Sequence, residues 1–287
     1  MKNSHSHYPD IRSLSYHVRT WGDPSHARLF LLHGWMDTSI SFQFLVDEFA
    51  RDWYVVAPDW RGFGYTEWSD YGYWFADYIA DLDALLTLFQ PEGEVRLVGH
   101  SMGGNVACLY AGIRPQRVGA VVSLEGFGIP RMAAESAPER YSEWLTELTS
   151  PPRFKPYTSF EQIAERLQRN NPRLPDDKAL FLARFWAKQL PSGEIVANSD
   201  PRHKTINPVL YRIDEAMSCW KRVTAPVLWV AGNDSWIHNW LKESREEFAR
   251  RQQAFRNFTE VAIDDAGHML HHDQPGHLAR IIENFVL

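Results

Sequence analysis

The chain has 287 residues, 44% of them hydrophobic, and a net charge of −6 with both signs interspersed. That length suits one large α/β domain or a domain with a sizeable insertion. The charge pattern offers no basic stripe for nucleic acid or an anionic membrane. No apolar run approaches the roughly 18 residues of a membrane span, and Met1 to Asp10 lacks the apolar stretch of a secretory leader. Cys108 and Cys219 lie far apart, so a reducing cytoplasm is the expected setting. Twelve tryptophans and an aromatic share of 14% exceed what a core alone needs.

In chain order, the N-terminal region holds one or two antiparallel strands around Ser15 to Trp21, and Ala27 to Leu32 is a continuous apolar strand. Ser41 to Phe49 reads as a helix, with Phe42, Leu45, Val46 and Phe49 on one face. The strand Tyr54 to Ala57 leads into the loop Pro58-Asp-Trp-Arg-Gly-Phe-Gly64. Phe75 to Phe89 is a helix with Ile79, Leu82, Leu85 and Leu86 inward. Val95 to Val98 is a strand, Asn105 to Ala111 a helix of small residues, and Gly119 to Leu124 a further strand. Two more strands, Pro226 to Val230 and Thr259 to Ile263, each precede a helical segment, Trp240 to Arg250 and Pro275 to Val286. Such alternation predicts a mostly parallel sheet with helices on both faces, and function at the carboxyl ends of its strands.

Between Ile129 and Val223 the pattern changes to a segment rich in Pro, Arg, Glu and aromatics, with candidate helices at Ser142 to Thr149, Phe160 to Arg169 and Asp177 to Gln189. Its length between two sheet strands rules out a plain loop. Residues 129–223 are therefore expected to form a helical cap, and residues 1–128 and 224–287 the core. Most cap aromatics should pack the cap onto the core, and a few should line a pocket. The string Asn198-Ser-Asp-Pro-Arg-His203 has turn chemistry and no assigned catalytic role.

The most informative stretch is Glu94-Val-Arg-Leu-Val-Gly-His-Ser-Met-Gly-Gly104. A Gly-x-Ser-x-Gly turn between a buried strand and a helix holds its central residue in a strained conformation and raises the Ser101 hydroxyl above the sheet end. A serine so placed becomes a nucleophile once a histidine reaches it. Of the 12 histidines, His268 follows the last predicted strand and sits behind a glycine in Asp264-Asp-Ala-Gly-His-Met-Leu-His-His-Asp273. It is the expected base; His271, His272 and His277 are read as core or solvated residues. Leu31-Leu-His-Gly-Trp-Met36 ends the first buried strand, so the backbone N–H groups of Trp35 and Met102 are the expected oxyanion donors. His33 is then structural, its ring fixing the loop.

His33-Gly34, Pro58-Asp59 with Arg61-Gly62 and Gly64, Gly99-His-Ser-Met-Gly-Gly104 and Gly267-His268 occur in the order and rough spacing that resemble the α/β-hydrolase superfamily. The likeness runs from about residue 27 to the end, apart from the cap. It implies an eight-stranded, mostly parallel sheet, a nucleophile at Ser101 and a base at His268. Leu124-Glu-Gly-Phe-Gly128, the Asp200-Pro-Arg-His203 region and the tryptophan-rich end of the cap resemble the serine hydrolase-like proteins, a likeness that brings no substrate with it.

The acid departs from the family's pattern. Relatives usually carry it in a Gly-x-x-Asp turn after the strand Pro226 to Val230, whereas this chain has Gly232-Asn-Asp-Ser235. Asp234 serves if the strand ends one residue sooner. Glu125, after Val121-Val-Ser-Leu124, is the competitor, because haloalkane dehalogenases place their acid at that strand end. Register leans slightly towards Glu125, and both carboxylates together could contact His268.

The expected chemistry is hydrolysis of a small, apolar or aromatic ester-type substrate through an acyl-enzyme. No cofactor and no metal are expected: the histidines lack ligand spacing, and Gly62-Phe-Gly64 lacks a dinucleotide fingerprint. Serine in place of aspartate at 101 argues against dehalogenase and epoxide-hydrolase chemistry. Carbon–carbon bond hydrolysis, thioester cleavage, cofactor-free perhydrolysis and a non-catalytic ligand-binding role remain the alternatives. Nothing in the pattern selects an oligomeric state.

Overall fold

The computed structural model describes all residues, Met1–Leu287. Eight strands form one sheet: β1 (Ser4–His7), β2 (Val18–Trp21), β3 (Ala27–Leu32), β4 (Trp53–Pro58), β5 (Val95–His100), β6 (Val118–Leu124), β7 (Val227–Gly232) and β8 (Phe258–Ile263). Their spatial order is β1-β2-β4-β3-β5-β6-β7-β8. The first two pairings are antiparallel and the remaining five parallel. The order reverses between β3 and β5, the place where an α/β sheet opens a crevice at its carboxyl edge. Every residue of β4 and β7 is buried, as expected for strands covered on both faces. Each fully buried Leu or Val contributes about 1.5–3 kcal/mol relative to exposure.

The helices are α1 (Gln43–Glu48), α2 (Phe75–Phe89), α3 (Met102–Ile113), α4 (Ala137–Thr149), α5 (Phe160–Asn170), α6 (Asp176–Trp186), α7 (Ile213–Trp220), α8 (Ile237–Leu241), α9 (Arg245–Gln252), α10 (Leu270–Asp273) and α11 (Pro275–Phe285). The helix expected from Ser41 to Phe49 is a 3-10 turn, Ser39–Phe42, followed by α1. In α2 the bounds match, but the buried face includes Tyr78 and Asp81, while Ile79 is only partly covered. The cause is Arg61, whose Nε and Nη2 donate to the two Asp81 carboxylate oxygens at 2.6 Å each, drawing a charged residue inward. The expected helix Trp240 to Arg250 is two, because Lys242 adopts a left-handed conformation that ends α8. Ser244 then opens α9 with a capping box closed by Glu247.

Residues 129–223 hold α4 to α7. The helix expected to reach Gln189 stops at Trp186, where the chain extends and pairs Ala187–Gln189 with Ile195–Ala197 as a hairpin. The Asn198–His203 string now has a role. Asp200 caps the 3-10 turn Pro201–Lys204, accepts a hydrogen bond from Tyr73 Oη at 2.7 Å, and donates its backbone N–H to Gly62 O. His203 is stacked between Phe63 and Tyr73, its ring centroid 3.7 and 3.6 Å from theirs. The string fastens the insertion to the Pro58–Gly64 loop. Cys108 is a buried core residue, and burial pushes its thiol up to about 12. No helix is long and apolar enough to cross a membrane.

Candidate active site

The ends of β3, β5, β6, β7 and β8 deliver, in turn, the loop after His33, Ser101, Glu125, the Gly232–Ser235 turn and the loop carrying His268. Four adjacent parallel pairings bring residues far apart in sequence to one edge. Ser101, between β5 and α3, has φ 51° and ψ −111°, a strained conformation for a non-glycine residue. Its surroundings demand glycine. A Cβ at Gly99 would lie 2.3 Å from the carbonyl carbon of Gly103, and one at Gly103 would lie 2.1 Å from Leu32 O. That crowding locks the turn against the end of β3.

His268 is oriented from three sides. Its Nδ1 pairs with Glu125 Oε2 at 3.1 Å. Its carbonyl accepts from His100 Nε2 at 2.8 Å, and its ring lies 4.4 Å from that of Trp236. With Nδ1 engaged by Glu125, the ring's other nitrogen is the one left for a reacting group. Ser101 and His268 line the same cavity, of about 460 Å³, although no hydrogen bond joins the Ser101 hydroxyl to the imidazole in this structure. Such bonds often tighten only when substrate is bound.

Glu125 is buried, with φ 61°. Its Oε1 accepts from the backbone N–H of Gly232 at 2.7 Å, and its Oε2 accepts from Ser235 Oγ at 2.5 Å as well as from His268. Asp234 is not brought to the imidazole. Strand β7 runs through Gly232 instead of ending early, so the Asp234 side chain turns outward, half-exposed, and pairs with Arg173 at 2.5 Å. The two carboxylates therefore do not share His268. Ser235, at the position where relatives carry the acid, hydrogen-bonds to Glu125 instead. Sequence reasoning missed the roles of Gly232 and Ser235 around Glu125, and that of His100 in anchoring the His268 carbonyl. The clue was present: a hydroxyl in place of a carboxylate at 235 suits a partner for an acid on a neighbouring strand.

Trp35 lines the cavity with Gly34 and Met36, directly beside Ser101; a Cβ at Gly34 would sit 3.3 Å from Ser101 Cβ. Met102 is the first residue of α3. His33 stays inside the fold: Nδ1 donates to Gly34 O at 2.7 Å, and Nε2 accepts from the Trp60 N–H at 2.8 Å. Burial lowers its pKa to about 4, so the ring is a neutral strut for the loop. His271 and His272, the second of which lines the cavity, are buried and both hydrogen-bond to Ser41 Oγ, at 3.0 and 2.8 Å. Burial lowers His272 to about 4 and His271 well below its usual value, which makes both core residues. Residues 129–223 close the other side of the cavity through Arg166, Leu174, Leu182, Trp186 and Lys204. Trp186 Nε1 also donates to Met36 O at 2.9 Å.

Known proteins carry the same architecture. A serine hydrolase-like protein from Danio rerio is 27% identical over 93% of this chain and 84% of its own length. Serine hydrolase-like protein 2 from Homo sapiens is 22% identical, over 94% of this chain and 90% of its own. Among solved structures, the thioesterase domain from the curacin biosynthetic pathway superposes with a TM-score of 0.86 at 22% identity, covering 98% of this chain and 99% of that one, and so shares the fold. The family model for the alpha/beta hydrolase fold matches residues 27–275, which span every strand end that meets at the cavity. The chain belongs to the α/β-hydrolase fold family.

Proposed function

We propose that the protein is a serine hydrolase that cleaves an ester-type bond through an acyl-enzyme, with Ser101 as nucleophile, His268 as base and Glu125 as the acid. Ser101 Oγ attacks the substrate carbonyl carbon while His268 Nε2 takes the hydroxyl proton. The N–H groups of Trp35 and Met102 stabilise the oxyanion. His268 then passes the proton to the leaving group as its bond breaks. In the second half, water attacks the acyl carbon, His268 accepts the water's proton and returns it to Ser101 as the acid departs. Residues 129–223 act as a cap that shields this chemistry from bulk water.

The observation that carries the reading is the Glu125–His268 pair on the strand ends beside a strained serine turn. Glu125 holds the Nδ1–H tautomer and stabilises the imidazolium, and the Trp236 ring adds a further favourable surface for that cation. The same cavity suits a small molecule, with Ile40, Leu174, Leu182 and Trp186 giving it an apolar wall. A fluorophosphonate should modify the protein on Ser101, as read by mass spectrometry, and p-nitrophenyl acetate should be turned over. An unlabelled Ser101 together with an uncleaved ester would leave a ligand-binding protein on a hydrolase fold.

A further inference from the structure

Arg166, on α5, lines the cavity and is half-buried, yet it forms no ion pair. A guanidinium withdrawn from water is ordinarily matched by a carboxylate, since removing its hydration is costly. Here one N–H group, on Nη1, donates to the Tyr157 hydroxyl. The guanidinium carbon also lies over two aromatic rings, 5.9 Å from the Tyr157 centroid and 5.3 Å from that of Trp186. Rings hold a guanidinium in place without neutralising it, and four of its five N–H donors remain free for another acceptor.

Lys204 lies on the same cavity wall. Its ammonium sits 4.9 Å over the Phe154 ring, also without an ion pair. The only acidic residue lining this cavity is Asp37, on the loop after β3 rather than in the insertion. A protein of net charge −6 therefore keeps two cations without ion pairs, the half-buried Arg166 and the exposed Lys204, on the part of the lining that residues 129–223 supply. Leu174, Leu182 and Trp186 line the same cavity as the two cations and the serine.

Building on the serine-hydrolase reading, we infer that the substrate is a carboxylate-bearing ester: its acyl carbonyl sits at Ser101, its chain crosses the apolar wall, and a free carboxylate at the far end is bound by Arg166 with help from Lys204. A carboxylate matches the planar fork of a guanidinium two bonds at a time. A neutral acyl group would leave that fork unpaired under the cap. The apolar or aromatic substrate expected from the sequence is thus replaced by one apolar in the middle and anionic at its end.

The test compares monoethyl esters of glutaric, adipic, pimelic and suberic acids with ethyl esters of monocarboxylic acids of equal chain length. The expected result is at least a tenfold higher kcat/KM for the acidic ester at one or more lengths. Arg166→Gln should cut that acidic-to-neutral ratio at least tenfold, and Arg166→Lys should restore part of it. Neutral esters preferred at every length, or a ratio unmoved by Arg166→Gln, would overturn the inference. Calorimetric titration of Ser101→Ala with the four free diacids reads the anion site without turnover. Binding of at least one diacid, lost in Ser101→Ala/Arg166→Gln, supports it, and no binding of any diacid overturns it. Should Ser101 resist fluorophosphonate and every ester go uncleaved, the hydrolase reading fails, and this titration still decides whether Arg166 holds a carboxylate.

Discussion

The sheet and residues 129–223 solve the same problem, burying apolar surface, by different means. Strands β4 and β7 are buried along their whole length, and β5 and β6 nearly so. In the insertion, α4 buries no residue and α5 only Ile163 and Ala164, while α6 and α7 bury four each. The core is held by area throughout, and the insertion by area only along α5 to α7, with a few directed contacts at its joint: Asp200 with Tyr73, His203 between two rings, Trp186 on Met36 O. A region held by area keeps its geometry when one contact is lost. One held by points loosens locally. The groups we assign to chemistry sit on the first, and those we assign to substrate selection on the second.

That division is broken most severely by moving the acid. Glu125→Gln keeps the shape but replaces the charged acceptor of His268 Nδ1 with an amide, favouring the wrong tautomer. By analogy with the corresponding change in serine proteases, kcat should fall by about 10³–10⁴-fold. Asp234→Asn removes only a half-exposed ion pair with Arg173 and should change kcat by less than about threefold. Steady-state kinetics on one activated ester decides between them. Equal losses, or the larger loss at Asp234, would mean that the carboxylates exchange places when substrate binds.

How much of this was legible follows the same boundary. The strands of the parallel core and the serine turn were readable because continuous apolar runs and glycine spacing are local signals. His33 as a strut was readable from the turn it occupies. What failed had a non-local cause. The face of α2 shifted because Arg61, in a distant loop, draws Asp81 inward. The choice between Glu125 and Asp234 depended on where β7 stops, and its pairing with β8 continues to Gly232–Ile263. In the insertion, the hairpin after Trp186 lacked a clean period to mark it, and α7 carried one, Ile213, Ala216, Met217 and Trp220, over only eight residues. Arg166 could not be read as unpaired, because which acids lie near it is a property of the folded chain.

Acidification tests the region around the cavity and the joint with the insertion together. Five histidines there are held neutral, all chiefly by burial: His33 and His272 at about 4, His203 at about 3, and His100 and His271 well below the usual value. In the unfolded chain each takes up a proton near pH 6.5, and in the folded protein only at much lower pH. The unfolded state therefore binds more protons across this window, so stability falls as pH drops from about 6.5 towards 4. For His33 alone, at ~1.4 kcal/mol per pH unit, the loss is on the order of 3 kcal/mol. Asp37 acts in the opposite sense: burial raises it to about 7, so its contribution is lost as pH rises from about 4 to 7. One carboxyl does not outweigh five imidazoles. Urea midpoints should fall steadily from pH 6.5 to pH 4.5, and His203→Gln should flatten the slope by about one proton's worth. A midpoint that stays level or rises on acidification would contradict the neutral assignment of these rings.

The smallest expected effect is the most selective for the difference between the two regions. Asp200 is almost completely buried and accepts from Tyr73 Oη at 2.7 Å, from the Arg202 backbone N–H at 2.9 Å and from the Arg202 side chain at 2.6 Å. Asp200→Ala leaves the Tyr73 hydroxyl without its acceptor. Arg202 is partly exposed and can turn to water, so the cost should be about 2 kcal/mol, towards the low end for a disrupted buried polar group. Asp200→Asn keeps an acceptor for both partners and should recover about half of that. Hydrogen exchange tells where the loss falls: amides of residues 187–204 and of the Pro58–Gly64 loop should exchange faster, while those of β5 stay protected. Because Lys204 lies in the loosened stretch, Arg166 packs over Trp186 next to it and Ser101 lies outside it, KM for a carboxylate-bearing ester should rise more than kcat falls. Faster exchange in β5 as well would mean that the insertion and the sheet open as one unit, and that the joint at Asp200 is not a boundary between them.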